Sequence, residues 1–112
     1  QALVTLNDPV YQEAAKALAA RMIHEGGPST SDQISRGFEL VLGRSPDTQE
    51  LDRLVRLAAE AAARYRDDVQ MRDELLAKWP GETPSLIDPA DLAALAVVGN
   101  VLLNLDETLT RG

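Results

Sequence analysis

Residues 92–105 are the feature that most constrains the fold, because they are apolar on almost every side of a helix. Only Gly99, Asn100 and Asn104 interrupt this run. A helix that is hydrophobic all round is a buried one. The run is shorter than the roughly 20 residues that a helix needs to span a bilayer. We therefore expect a central helix, opened by Asp88-Pro89-Ala90-Asp91 with both aspartates as cap residues, and no membrane insertion.

The first predicted helix begins at Pro9, because Asn7 and Asp8 supply a polar cap before a proline at the first helical position. It runs to about residue 25, where two glycines and a proline follow. Its apolar spacing predicts a face toward the core. This face consists of Val10, Ala14, Ala17, Leu18, the aliphatic stem of Arg21 and Met22.

A second helix is predicted after the cap residues 29–32, with Ile34 and Phe38 on its apolar stripe and Gly43 as its C-terminal stop. Gly37 lies inside this helix, where glycine costs about 1 kcal/mol relative to alanine. We therefore expect a neighbouring helix to approach closely at Gly37.

A third helix follows Asp47, which forms a capping-box pattern with Glu50. Residues 67–68 are two aspartates that predict its end and the start of a fourth, shorter helix. One long helix over residues 47–78 is the alternative, since no glycine or proline lies between.

These elements predict an all-α fold, a compact bundle of about four to five helices around the central apolar C-terminal helix. Apolar residues are 45% of the chain but aromatic residues only 4%, so close helix contacts through alanine must replace large rings. The length of 112 residues fits a single helical domain over residues 1–112. Because the first residue is Gln1, we interpret the chain as a fragment of a larger protein.

The formal net charge of −7 disfavours nucleic acid and anionic membranes as partners. The absence of cysteine excludes disulfides, zinc–thiolate sites and covalent haem attachment within these residues. No calcium-loop or phosphate-loop motif is present. We therefore expect a monomer in isolation, with no metal and no cofactor.

No catalytic set of residues is recognisable. His24 is the only histidine, and its position before two glycines is typical of a positive charge at a helix C-terminus. Asp106 and Glu107 lie near a helix C-terminus, where negative charge is disfavoured. They are interpreted as solvent-exposed side chains, or alternatively as contacts to a neighbour.

Asn100 and Asn104 lie one helical turn apart on the most apolar helix. The preferred interpretation is that both are hydrogen-bonded inside the domain, because buried polar groups are usually satisfied internally. The alternative is a polar seam that faces a partner. The candidate partner-facing polar residues are Asn7, Asp8, Asn100, Asn104, Asp106 and Glu107.

Three stretches, residues 2–9, 40–51 and 101–111, carry a resemblance. In order and spacing the chain resembles the C-terminal domain of unknown function of planctomycete-type multidomain proteins, which often carry an N-terminal cytochrome-c-like domain. The resemblance implies an extracytoplasmic setting in a redox-linked protein. It implies no catalytic residue and no haem here, since no Cys-x-x-Cys-His motif is present.

The leading hypothesis is a non-catalytic helical interaction or scaffolding domain that docks on the preceding domains of the same chain. The alternative is a part of an enzyme whose active site is completed by upstream domains, with Asn7, Asp8, Asn104 and Asp106 as donated polar groups. A ligand-binding helical module is disfavoured, because the few aromatic residues are too dispersed for a stacking platform.

Overall fold

Five helices make up the part of the fold that the structure describes. The computed structural model of the protein describes residues 9–81, 83–84 and 86–111, with side chains described from residue 12 to residue 105 within those ranges. The helices are α1 (Pro9–Gly26), α2 (Thr30–Leu42), α3 (Thr48–Asp67), α4 (Val69–Leu76) and α5 (Pro89–Arg111). No strand occurs in the described part of the chain, so the predicted all-α bundle is confirmed.

Helix α5 is the centre of the bundle, as its sequence predicts. It packs against each of the other four helices. Every side chain from Leu92 to Val98 is at most 3% exposed, and Leu102 is fully buried. Apolar surface on all sides of one helix is covered only when neighbours surround it, which explains the arrangement.

Helix α1 begins at Pro9 as predicted, but its buried face is only partly the predicted one. Ala15, Ala19 and Met22 are fully buried. Ala14 and Ala17 are exposed, so their prediction as core residues is wrong. Alanine is compatible with core and surface alike, and the periodicity of an alanine-rich helix therefore fixes its rotation poorly.

The capping signals are confirmed at three helix ends. The Ser29 hydroxyl accepts a hydrogen bond from the backbone of Asp32 at 3.0 Å and starts α2. Gly43, with φ of 77°, ends α2 in the left-handed region. The Asp47 carboxylate accepts from the Glu50 backbone at 2.8 Å, and the Glu50 carboxylate accepts from the Asp47 backbone at 2.9 Å.

The helical conformation is interrupted at Asp68. The prediction of two helices over residues 47–78 is therefore confirmed, and the alternative of one long helix is wrong. Asp68 has φ of −116° and ψ of 80°, outside the helical region. Its backbone N–H donates to Arg64, and its carboxylate accepts from the Met71 backbone at 3.0 Å. A single residue thus ends α3 and caps α4.

Two glycines mark close helix contacts. A Cβ added to Gly37 would lie 2.7 Å from Sδ of Met22, which confirms the expected approach of α1 to α2. A Cβ added to Gly99 would lie 2.8 Å from the carbonyl oxygen of Ala15, at the crossing of α1 and α5. The absence of a side chain lets the Met22 side chain pack against α2 at Gly37 and lets the backbones of α1 and α5 approach closely at Gly99.

Candidate interaction surface

A groove runs beside helices α3 and α5 and is the candidate functional site. Its volume is about 470 Å³, within the range of roughly 300–1,000 Å³ that ligand pockets occupy. The α1–α2 turn and the loop before α5 form its other sides. The lining residues are Pro28, Thr30, Gln33, Val55, Ala58, Ala59, Ala62, Arg66, Leu86, Ile87, Asp88, Asp91, Ala94 and Leu95.

Small apolar residues line much of the groove. Ala58 and Ala62 come from α3, and Ala94 and Leu95 from α5; all four are at most 5% exposed. Their short side chains leave the volume that makes the groove, because larger residues at these positions would fill it. The sequence places them here through the i, i+4 spacing of the α3 stripe, which turns one face to α5.

Charged side chains cross the rim of the groove. Nη2 of Arg66 lies 3.3 Å from Oδ2 of Asp88 and 3.0 Å from Oδ1 of Asp91. The three side chains are about half exposed, between 47% and 53%. The ion pairs join the end of α3 to the start of α5, where carboxylates also complement the helix dipole.

The loop before α5 presents an apolar side chain at the groove edge. Leu86 is 100% exposed, the largest exposure of any large apolar residue among those described. On the other side, Gln33 is 6% exposed and donates from Nε2 to the carbonyl oxygen of Gly27 at 2.8 Å. The groove therefore has one fixed polar side and one exposed apolar edge.

Lys16 lies in α1, and its buried side chain reaches the C-terminal end of α4. Its side chain is 4% exposed, and Nζ donates to the carbonyl oxygen of Leu75 at 3.1 Å. Leu75 lies in the last turn of α4, where positive charge is favoured by the helix dipole. The contact ties α1 to α4 and has a sufficient structural explanation. Across the described side chains, no buried nitrogen or oxygen lacks a hydrogen-bond partner.

A surface cluster of alternating charges joins α1 to α2; we call Arg21, Glu25, Arg36 and Glu39 the arginine–glutamate cluster. Glu25 accepts from Arg21 at 2.7 Å and from Arg36 at 2.8 Å, and Arg36 also lies 3.3 Å from Glu39. The hydrogen bonds from Arg21 and then Arg36 lower the pKa of Glu25. All four side chains are at least 26% exposed, so the cluster links α1 to α2 at the protein surface.

A second ionic contact reinforces the capping box of α3. The guanidinium of Arg44 pairs with the Glu50 carboxylate through contacts of 2.9 and 2.8 Å. This pairing, followed by the hydrogen bond from the Asp47 backbone, lowers the pKa of Glu50 to about 2. Cζ of Arg44 also lies 4.9 Å from the centroid of the Phe38 ring, within cation–π distance.

The polar residues singled out in the sequence are not brought together into one described site. Asn7 and Asp8 lie outside the described residues, and the side chains of Asp106 and Glu107 are also outside them. Asn100 is 3% exposed, whereas Asn104, one turn further along α5, is exposed. Asn104 takes part in an interaction of its own.

His24 lies in the last turn of α1, as predicted. Within the described ranges, no group of three or more histidine, aspartate or glutamate side chains is placed to hold a metal ion. No helix in the described part of the chain is long and apolar enough to cross a membrane.

Sequence reasoning did not find the groove. The sequence indicates Asp88 and Asp91 only as cap residues of α5. It gives no indication that Arg66 or Leu86 lies at a site. The pairing of Arg66 with Asp91 joins positions 25 apart in sequence, and only the packing of α3 on α5 brings them together. Leu86 lies beside a proline-containing loop in the sequence, but its exposure is seen only in the structure.

Comparison with known protein families gives a match over the first part of the chain. Residues 1–58 match the model of a family described as PSD1, protein of unknown function (DUF1553). No curated protein and no solved structure matches the chain. The matched segment covers α1, α2 and the first part of α3, which is more than half of the sequence. On this evidence the chain belongs to the PSD1 family of proteins of unknown function (DUF1553).

Proposed function

We propose that the chain is a non-catalytic helical interaction domain that docks on preceding domains of a larger protein through the groove between α3 and α5. The observation that carries the proposal is the open groove of about 470 Å³ beside a fully exposed leucine, Leu86. Exposed apolar surface next to a concave site is typical of protein interaction surfaces.

The composition of the groove supports docking of a protein segment. Ala59, Ile87 and Leu86 offer accessible apolar surface, and Arg66, Asp88 and Asp91 lie at the rim. An apolar centre surrounded by a polar rim is the usual arrangement of protein–protein interfaces. A docked domain would remove Leu86 from water, which would favour the contact.

The setting of this domain is a further part of the proposal. The resemblance to planctomycete-type multidomain proteins with an N-terminal cytochrome-c-like domain supports an extracytoplasmic, redox-linked protein as its context. In that context the chain would act as a scaffold for its neighbours, with electron transfer carried out elsewhere in the larger protein. The family match over residues 1–58 supports the coarser part of this resemblance, a domain of unknown function.

The test replaces one residue of the groove in the larger protein. Ala59 lines the groove and is exposed, so Ala59→Arg fills it without entering the core. Ala17→Arg is the matched control, because Ala17 is an exposed alanine on α1 that does not line the groove. Amide hydrogen exchange is measured for this domain alone and within the larger protein.

We expect slower exchange of the amides around Leu86 and Asp91 in the larger protein than in the domain alone. Ala59→Arg should abolish this difference, and Ala17→Arg should leave it intact. Equal exchange rates in the two unsubstituted proteins would overturn the proposal. Loss of protection with both arginine variants would also overturn it, because the effect would then not depend on the groove.

A further inference from the structure

The rim of the groove has more negative than positive charge. Asp88 and Asp91 share a single guanidinium nitrogen, Nη2 of Arg66, at 3.3 and 3.0 Å. An ionised carboxylate has two oxygens and about four acceptor positions, so a single N–H group donated to each carboxylate leaves most of this capacity for other groups. Both carboxylates are nearly half exposed and are accessible from outside.

Apolar surface lies directly beside these carboxylates. Leu86 and Ile87 precede Asp88 in the chain, and all three line the groove. Leu86 is 100% exposed and Ile87 is partly buried. A ligand that fits the site must therefore place an apolar group within a few residues of a cation.

We propose that the groove binds a protein segment in which an arginine or lysine stands next to a leucine-like side chain. The cation pairs with Asp88 and Asp91, and the apolar side chain covers Leu86 and Ile87. This inference rests on the proposed function and specifies the chemistry of the docked segment. The net charge of −7 adds to the attraction, because the field of the whole chain draws in a basic segment.

An acidic segment does not fit this site. Its carboxylate would meet two like charges at the rim, and Arg66 is already paired with both. Like charges brought together at an interface cost free energy and therefore disfavour binding of an acidic segment. A basic segment does not incur this cost. The two carboxylates therefore act as a selectivity element, and the apolar groove supplies contact area.

The test uses two probes with the 112-residue chain: a blocked Leu-Arg-Leu tripeptide and a blocked Leu-Glu-Leu tripeptide of the same length. Binding is followed by amide chemical shifts in nuclear magnetic resonance spectra at low ionic strength. We expect the arginine probe to cause saturable shifts at Ala59, Leu86 and Asp91. The glutamate probe should cause none.

A double variant, Asp88→Asn with Asp91→Asn, tests the role of the carboxylates. Asparagine preserves side-chain size and is an equally good cap residue, so α5 should form as before. The arginine probe should bind about tenfold more weakly, as expected for loss of a charge-assisted hydrogen bond. The control pair Asp52→Asn with Glu74→Gln changes the net charge equally but lies outside the groove, and should retain binding.

Two outcomes would overturn the inference: saturable binding of both probes at the groove, or unchanged affinity for the arginine probe in the Asp88/Asp91 variant. Shifts confined to residues away from the groove would overturn it as well. The proposed function is tested separately by Ala59→Arg. Domain docking that is lost with Ala59→Arg but retained in the Asp88/Asp91 variant would overturn only the ionic selectivity.

Discussion

Helix α1 takes part in two contacts of opposite character. At its crossing with α5, Ala15 and Ala19 are fully buried, and the carbonyl oxygen of Ala15 faces Gly99. At its C-terminal end, Arg21 and Glu25 belong to the arginine–glutamate cluster, whose side chains are between 26% and 58% exposed. Water is excluded from the α1–α5 crossing, whereas the arginine–glutamate cluster is exposed to solvent.

This difference predicts where the free energy of folding resides. Burial of apolar surface contributes roughly 25 cal/mol per Å². Exposed ion pairs contribute about 0–1 kcal/mol each, because solvent screens them and long side chains lose entropy. We therefore infer that the α1–α5 crossing stabilises the fold, whereas the cluster orients α2 on α1.

The largest expected effect is that of Leu102→Ala in α5. Leu102 is fully buried, and large-to-small changes in a core cost about 2–5 kcal/mol of unfolding free energy. Urea unfolding followed by circular dichroism measures the loss. Leu105→Ala is the control in the same helix, because Leu105 is 42% exposed and should change the midpoint little. Equal effects of the two substitutions would contradict the central placement of α5.

A second prediction compares two glycines. Gly99→Ala places a methyl group against backbone, 2.8 Å from the Ala15 carbonyl oxygen, and should destabilise by about 1–3 kcal/mol. Gly37→Ala places it against the side chain of Met22, which is flexible and can move aside. Both glycines lie inside helices, so the gain of about 1 kcal/mol in helix propensity is common to the two substitutions. The effect of Gly37→Ala should therefore be the smaller. Denaturant midpoints for the pair decide this, and the reverse order would show that the α1–α5 crossing is loose.

A third prediction concerns the cap at the α3–α4 junction. Asp68→Ala removes the carboxylate that accepts from the Met71 backbone and should cost about 1 kcal/mol. Because α4 has only 8 residues, we expect the loss to appear first as faster amide exchange in α4. Asp67→Ala is the neighbouring control. Uniform acceleration over all five helices would mean that α4 does not open separately.

The smallest expected effect is at the surface, in the acid titration of Glu50. Its pKa is about 2 in the folded chain, against an ordinary value of 4.5, because of the hydrogen bonds from Arg44 and from the Asp47 backbone. A lowered folded pKa means that its contribution to stability is present above pH 4.5 and is lost as the pH falls toward 2. Carboxyl resonances measure the pKa, and Arg44→Met should bring it closer to 4.5. A Glu50 pKa unchanged by Arg44→Met would contradict the ion pair.

Much of the fold was predictable because its signals are local. The caps at Asp47 and Asp68 and the stop at Gly43 are fixed by neighbouring residues, and the structure confirms them. The rotation of α1 was less predictable, since exposed Ala17 and buried Ala15 have the same side chain.

The candidate surface was hardly predictable at all. The groove is lined by residues of α3 and α5 that are far apart in sequence and that only the packing of the two helices brings together. The sequence explains Asp91 as a cap residue of α5. Its ion pair with Arg66 is seen only in the structure. Functional hypotheses based on local signals therefore selected other polar residues, such as Asn100, and not the rim.

The hydrogen bond between Lys16 and Leu75 shows how far the folded domain extends beyond the segment that matches the family. The family match ends at residue 58, within α3, whereas the ammonium of Lys16 is held by a carbonyl group 59 positions further along the chain. Helix α5, which fills the space between the matched helices, also lies beyond the match. A chain cut at residue 58 would leave a charged lysine and the apolar faces of α1 and α2 without cover. The segment recognised by similarity is therefore smaller than the segment that folds, and transplanting it into another protein requires everything through α5.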